Sequence, residues 1–307
     1  MRKLSDHAIR MKAYEKLNSV SLRTKTPVLI RIDGKAFHSF CRGMNRPVDN
    51  RLVECLNQAT KSTLEEIDGA RVAYLQSDEI SILLTDFTQD STQGWFHYNK
   101  QKLESVIASM FTAYFNKNFT ELFSEDIKHK EKIAFFDCRA WSLPFTEVNN
   151  YFWWRQKDCT KNAISMIART MFSDKELHKK NTGEVQTLIE EKLGEGVDIR
   201  YPQYFLKGRC LSKNEEGVFT VDNNLPLFVN DRDYINKHIE DYFPETLRNV
   251  IHSIRENNVV YTDEYWMKDR ESLRKINTEL DLFENVLNRS TYIPINLKIG
   301  STVNFLP

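Results

Sequence analysis

Apolar and polar positions along this chain fall into helical and strand registers that predict most of its elements. Residues 6–18 set Ile9, Tyr14 and Leu17 between charges, the spacing of an amphipathic helix. Thr26-Pro27 then introduce Val28 to Ile32, an apolar run that predicts a strand ending at Asp33-Gly34. Asn45 to Asp49 reads as a turn leading into a helix, with Asp49 or Asn50 as its N-cap. Leu52, Val53, Leu56, Ala59 and Leu64 are its apolar stripe, and Gly69 stands where it would end.

Residues 71–76 and 80–84 are apolar and β-prone, and Ser77-Asp78-Glu79 between them predicts a hairpin with acidic residues at its tip. A helix follows from about Asn99 to Asn116, with Leu103, Val106, Ile107, Met110, Phe111 and Tyr114 on its buried face. Ile133 to Phe136, ending at Asp137, reads as a fourth strand. Strand, helix, hairpin, helix, strand is close to a ferredoxin-like split βαβ layout, an α+β fold with an antiparallel sheet and helices on one face. Asn149 to about Ser173 predicts another long helix that opens on Tyr151, Phe152, Trp153 and Trp154. Lys180 to Glu195 includes a short helix, and Asn214 to Asn224 is a loop or hairpin. Mainly helical segments are expected from Asp231 onward, with a last strand at Tyr292 to Leu297.

Composition narrows the class of protein. The 307 residues are 41% hydrophobic and 28% charged, ordinary for a globular chain. No run approaches the roughly 18 apolar residues of a membrane span. The opening residues mix both charge signs without an apolar core, so no membrane partner and a cytoplasmic location are expected. Lys plus Arg and Asp plus Glu are each 43, so a nucleic-acid partner has to be met by local basic patches. The five cysteines are scattered without a C-x-x-C pair, which suits neither a disulfide framework nor a zinc site.

The candidate chemistry lies in two carboxylates. Asp33 ends an apolar strand, and Asp78 lies between two apolar strands, where an uncompensated charge is costly. A metal, a cationic neighbour or solvent has to offset that cost, so a metal site and a structural turn both remain open at this point. Mg²⁺ prefers such hard oxygen ligands. In a two-metal site the ions sit about 3.5–4 Å apart and clamp the attacking and leaving oxygens of a displacement. Asp33, Asp78 and the Gly34 carbonyl are the ligand candidates. Glu79 is expected to point to the other face of its strand. The aromatic pair Trp153 and Trp154 suits either base stacking or core packing.

RIDGKAFHSF, NRPVDNRL, AYLQSDEISILL, the Lys102 helix with IASMF, FDCRAWSLP and WRQKDCTKNAISMIA follow one another in this order. Together, over about residues 6–215, they resemble the tRNA(His) guanylyltransferase family, nucleotidyltransferases that add nucleotides to RNA 5′ ends in the 3′-to-5′ direction. The resemblance implies two Mg²⁺ ions on Asp33, the Gly34 carbonyl and Asp78, with ATP and GTP as substrates. It implies a triphosphate site at Asp33, Gly34, Lys35, Ala36, Phe37, His38, Ser77, Asp78 and Lys102. It also implies a role for Arg46 in activating the RNA 5′ end. The implied core is a polymerase palm, the implied partner is a tRNA 5′ end, and the implied assembly is a homotetramer. The expected division is a palm-like catalytic part at 1–140, a family part packed on it at 141–220, and an extension of unassigned role at 221–307.

Two segments depart from the family pattern. Where strict tRNA(His) enzymes carry H-I-N-N-L-Y-N, this chain has Thr160 to Met166, keeping Asn162 as a candidate RNA or nucleotide contact. That places it nearer the guanylyltransferase-like branch, which repairs 5′-truncated tRNAs by templated addition. An arginine usual at the start of the Lys102 helix is replaced by Asn99, with Lys100 as a substitute. The alternative functions are a palm-fold nucleotidyl cyclase and a non-catalytic RNA-binding protein.

Overall fold

The computed structural model describes residues 5–240, apart from residues 18, 89 and 90. All of these fall in the first of two units, Met1–Tyr242 and Phe243–Pro307. The strand expected at Tyr292 to Leu297 and most of the expected helical extension lie outside the described residues.

Helix α1 (Asp6–Leu17) precedes β1 (Val28–Gly34), the short α2 (Phe37–Phe40) and α3 (Asn50–Glu65). The hairpin β2 (Ala70–Gln76) and β3 (Glu79–Leu84) follows, then α4 (Lys100–Leu122), β4 (Phe136–Ser142) and the long α5 (Phe145–Met171). Short helices α6 (Asp174–Leu177), α7 (Thr182–Leu193), α8 (Val197–Arg200) and α9 (Gln203–Lys207) lead to the hairpin β5 (Arg209–Lys213) and β6 (Phe219–Asp222). The last described helix is α10 (Asp233–Glu240). Residues 221–240, expected to open the extension, thus supply the end of β6 and α10 to this unit. No helix among the described residues is long and apolar enough to cross a membrane.

The strands form one sheet of order β4-β1-β3-β2-β5-β6 in which every paired neighbour is antiparallel. The first four follow the ferredoxin-like layout, and β5–β6 lengthens the sheet. Period-2 alternation divides the side chains between its faces. Val28, Ile30, Ile32, Ile80 and Ile82 pack with α3 and α4. On α4, Leu103, Ile107, Phe111, Phe115 and Phe119 recur every fourth residue and are fully buried, whereas Val106, Met110 and Tyr114 are half-buried. The other face is covered by α5, where Tyr151 hydrogen-bonds Ser81 at 2.9 Å and Phe152 packs edge-on against Tyr74.

Three elements differ from their sequence expectation. The fourth strand begins only at Phe136, because Ile133 and Phe135 are 65% and 58% exposed. The preceding link is pinned by Asn116, whose side chain exchanges two hydrogen bonds with the Ala134 backbone at 2.8 and 2.9 Å. Helix α3 ends at Glu65, ahead of Gly69. Gly69 instead adopts φ +82° where a Cβ would stand 2.5 Å from the Thr85 carbonyl, so it serves the close approach that starts β2. Helix α1 forms where expected, yet none of its residues is buried.

Candidate active site

The two carboxylates meet at one end of the sheet. Asp33 is the penultimate residue of β1, and Asp78 sits in the two-residue turn between β2 and β3, whose ends pair through Gln76 and Glu79. Ser77, the other turn residue, is held at φ 47°, and its hydroxyl donates to Asp78 Oδ1 at 3.0 Å. Ala36, after β1, also adopts positive φ, at 52°. Two non-glycine residues in this region at one site store local strain, as functional loops often do. Gly34 explains the approach of the turns: a Cβ there would stand 2.7 Å from Asp78 Oδ2 and 2.5 Å from the Phe37 ring. Phe37 is itself locked against Phe40, Phe115 and Phe136.

Charge is unbalanced at this point. Burial pushes the Asp78 carboxyl up to about 6; the Ser77 hydrogen bond opposes this, while the charges of Asp33 and Glu79 add to it. Glu79 belongs to a separate network. Arg155 of α5 donates to both its oxygens, at 2.7 and 2.8 Å, Gln76 donates to it at 3.0 Å, and Arg31 Nε lies 3.9 Å away. Among the described residues Asp78 has no such ion pair. Oxygen donors with uncompensated negative charge are what a hard divalent ion takes. Among the described residues no group of three or more His, Cys, Asp or Glu could hold a metal. Two carboxylates and a carbonyl suffice only for an ion whose shell is completed by water and substrate phosphates, as Mg²⁺ permits.

A cavity of about 280 Å³ opens beside Asp78 between α3 and α5. Leu52, Val53 and Leu56 wall one side, and Ala163 and Met166 the other. Asp78, Ser77, His38, Arg46, Asn162 and Arg169 also line it. Gln76 and Arg209 form part of its lining; both are at least 97% buried, at 3% relative exposure. Gln76 Oε1 has no hydrogen-bond partner among the described residues. Arg209 donates to the Asn57 side chain, forms no ion pair among the described residues, and is pulled down to about 10 by burial. The apolar walls and few polar groups suit a flat heterocycle carrying a charged tail. Cys41 and Cys159 also line the cavity, but burial pushes their thiols up to about 12 and about 11, so neither is a ready nucleophile.

Of the residues singled out in the sequence, Phe37, His38, Arg46, Ser77, Asp78 and Asn162 line this cavity. Asp33, Gly34, Lys35 and Ala36 lie at its border along β1 and the following loop, with the Lys35 N–H bound to the Phe135 carbonyl at 2.8 Å. Lys102 does not line the cavity. Within the chain it stands at the start of α4, with Nζ 5.8 Å from the Phe96 ring. Nearby Glu104 accepts from the Ala140 N–H, and Ala140 pairs with Ile30, whereas Asp33 pairs with Asp137. Along β1, Ile30 and Asp33 are three residues, about 10 Å, apart. Lys100 is likewise engaged, in an ion pair with Glu104 at 3.1 Å. Asp137 and Arg139 form an exposed ion pair at 3.4 Å, of bracing value at most.

Arg155, Gln76, Arg169 and Arg209 had no individual role in the sequence reading. Arg155 was detectable: it occupies a buried position of α5 between Phe152 and Cys159, and a buried arginine requires an acid.

The family profile described as Thg1, tRNAHis guanylyltransferase, matches residues 8–144. The tRNA(His) guanylyltransferase of Neurospora crassa is 32% identical over 214 residues, covering 64% of this chain and 70% of that protein. Among solved structures, a bacterial tRNA(His) guanylyltransferase-like protein in complex with ATP is 38% identical with TM-score 0.71. A complex of such a bacterial protein with GTP is 36% identical with TM-score 0.63. Each structure matches 76% of this chain and 99% of its own.

Proposed function

The chain belongs to the tRNAHis guanylyltransferase family, and from that premise we propose that it adds nucleotides to the 5′ end of a tRNA by 3′-to-5′ transfer. It is a nucleotidyltransferase. In the first step the 5′-monophosphate of the RNA attacks the α-phosphorus of ATP, pyrophosphate leaves, and an adenylylated end results. In the second step the 3′-hydroxyl of an incoming nucleotide such as GTP attacks the activated 5′ phosphorus, and AMP leaves.

The observation that carries this reading is the Asp33–Asp78 pair, with Asp78 uncompensated beside an apolar cavity. Asp33, Asp78 and the Gly34 carbonyl would hold Mg²⁺. Two such ions, when bound, supply charge neutralisation at the phosphates and a lowered pKa for the attacking hydroxyl. The cavity takes the base of a nucleoside triphosphate. The loop from Lys35 to His38 and Ser77 face its phosphates, and Arg46 and Arg169 offer charge at the rim for the 5′ phosphate. Glu79, locked by Arg155, fixes the β3 start and so the turn bearing Asp78.

The segment Thr160 to Met166 favours templated repair of 5′-truncated tRNAs over addition of one guanosine to tRNA(His). The resemblance also supports residues 1–140 as the catalytic part, 141–220 as a part packed on it, and a homotetramer. The test is incubation with labelled 5′-monophosphorylated tRNAs, full length and 5′-truncated, with ATP, Mg²⁺ and each nucleoside triphosphate. Truncated RNAs are expected to be extended until they pair with the 3′ strand. Failure to extend any RNA, or cyclic nucleotide made without RNA, would overturn the proposal.

A further inference from the structure

One face of α5 carries a row of cations of which only Arg169 enters the nucleotide site. Trp154 is 53% exposed there, and Lys157, Lys161 and Arg169 are exposed. At about 100° per residue, these four fall within about a third of the helix circumference and along about 22 Å of its length. The acidic residue on this face, Asp158, is already held by Arg155 at 2.9 Å. Both ends of the row reach the site. The Arg155 guanidinium lies 4.3 Å from the Trp154 ring and grips Glu79, the neighbour of Asp78. Arg169 lines the cavity together with Asp78.

We propose that this face of α5 is the track along which the 5′-terminal strand of the RNA reaches the carboxylates, with Trp154 stacking on a base and Lys157 and Lys161 contacting successive phosphates. The inference rests on the reading of the site as an RNA 5′-end transferase. A row of one charge sign complements a polyanionic backbone. An exposed indole at its start is the platform on which an unpaired base stacks whatever its sequence. Lys157 and Lys161 are one helical turn, about 6 Å, apart. Lys161 stands within Thr160 to Met166, where the chain departs from the strict tRNA(His) enzymes.

The test is fluorescence anisotropy of a labelled 5′-truncated tRNA bound to wild-type protein, to K157E/K161E and to Trp154→Ala across a salt series, with thermal unfolding followed in parallel. The double charge reversal is expected to weaken binding at least about tenfold and to lower the slope of log affinity against log salt by about 1.4, two contacts at about 0.7 each. Trp154→Ala is expected to weaken binding about tenfold with the slope unchanged, because stacking is not electrostatic. Unchanged affinity and slope in the double variant would overturn the track. Equal competition by polyglutamate of matched charge would assign the face to an acidic protein and overturn it as well. Wild-type protein that binds no RNA would overturn the track together with the function on which it rests.

Discussion

Arg155 on α5 reaches Glu79 on β3 through two hydrogen bonds, Nε to Oε1 at 2.7 Å and Nη2 to Oε2 at 2.8 Å. The pair joins the helix to the strand that begins immediately after Asp78. It is buried, so its desolvation is repaid only while both partners are present. Arg155→Met is expected to lower unfolding free energy by about 3 kcal/mol, since the buried Glu79 carboxylate would keep only the Gln76 hydrogen bond and the longer Arg31 contact. Adding Glu79→Gln to Arg155→Met is expected to recover part of that loss. Urea unfolding of the two single variants and the double variant measures the coupling; additive losses would contradict it.

Gly34 lies against Asp78 and Phe37 so closely that a methyl group has no room. Phe37 is wedged among three other rings and cannot retreat, so the carboxylate is the group that moves. Gly34→Ala is therefore expected to lower nucleotide addition at least about a hundredfold, because displacing reacting groups by about 1 Å carries that cost. The clash with the fixed Phe37 ring is expected to cost about 1–3 kcal/mol of stability as well. Single-turnover rates beside thermal unfolding separate the two effects.

Asp78 gives the metal-free protein a pH signature. Its carboxyl is pushed up by burial, and further by Asp33 and Glu79, from an ordinary 3.8 to about 6. The folded state then holds this proton over a range in which the unfolded state has released it. Stability from this group is present below about 4 and is lost as pH rises through about 6. Chelated wild type should lose up to about 3 kcal/mol relative to Asp78→Asn across that window, at about 1.4 kcal/mol per pKa unit. Added Mg²⁺ should reverse the loss by binding the ionised form. Stability curves that stay parallel with pH would contradict this.

Much of the sheet was legible because strand and helix periods are strong in β1, β2, β3, α3 and α4. Asp49 was readable as the α3 cap, and its side chain does accept from the Arg51 N–H at 3.1 Å. The turn bearing Asp78 was readable because two apolar runs flank it. Less was legible where tertiary partners decide. The start of β4 depends on Asn116 pinning Ala134, a contact 18 residues away in sequence. Gln76 and Arg209 come together only because β2 and β5 pair, with Leu75 opposite Arg209.

The central claim is that Asp33 and Asp78 together carry nucleotide transfer to an RNA 5′ end. Its most direct measurement is the single-turnover rate of GTP addition to a labelled, 5′-truncated tRNA with ATP and Mg²⁺, in wild type, Asp33→Ala and Asp78→Ala. The account predicts addition by the wild type and its loss in both variants, with the fold kept by circular dichroism. Wild-type rates in either folded variant would contradict it.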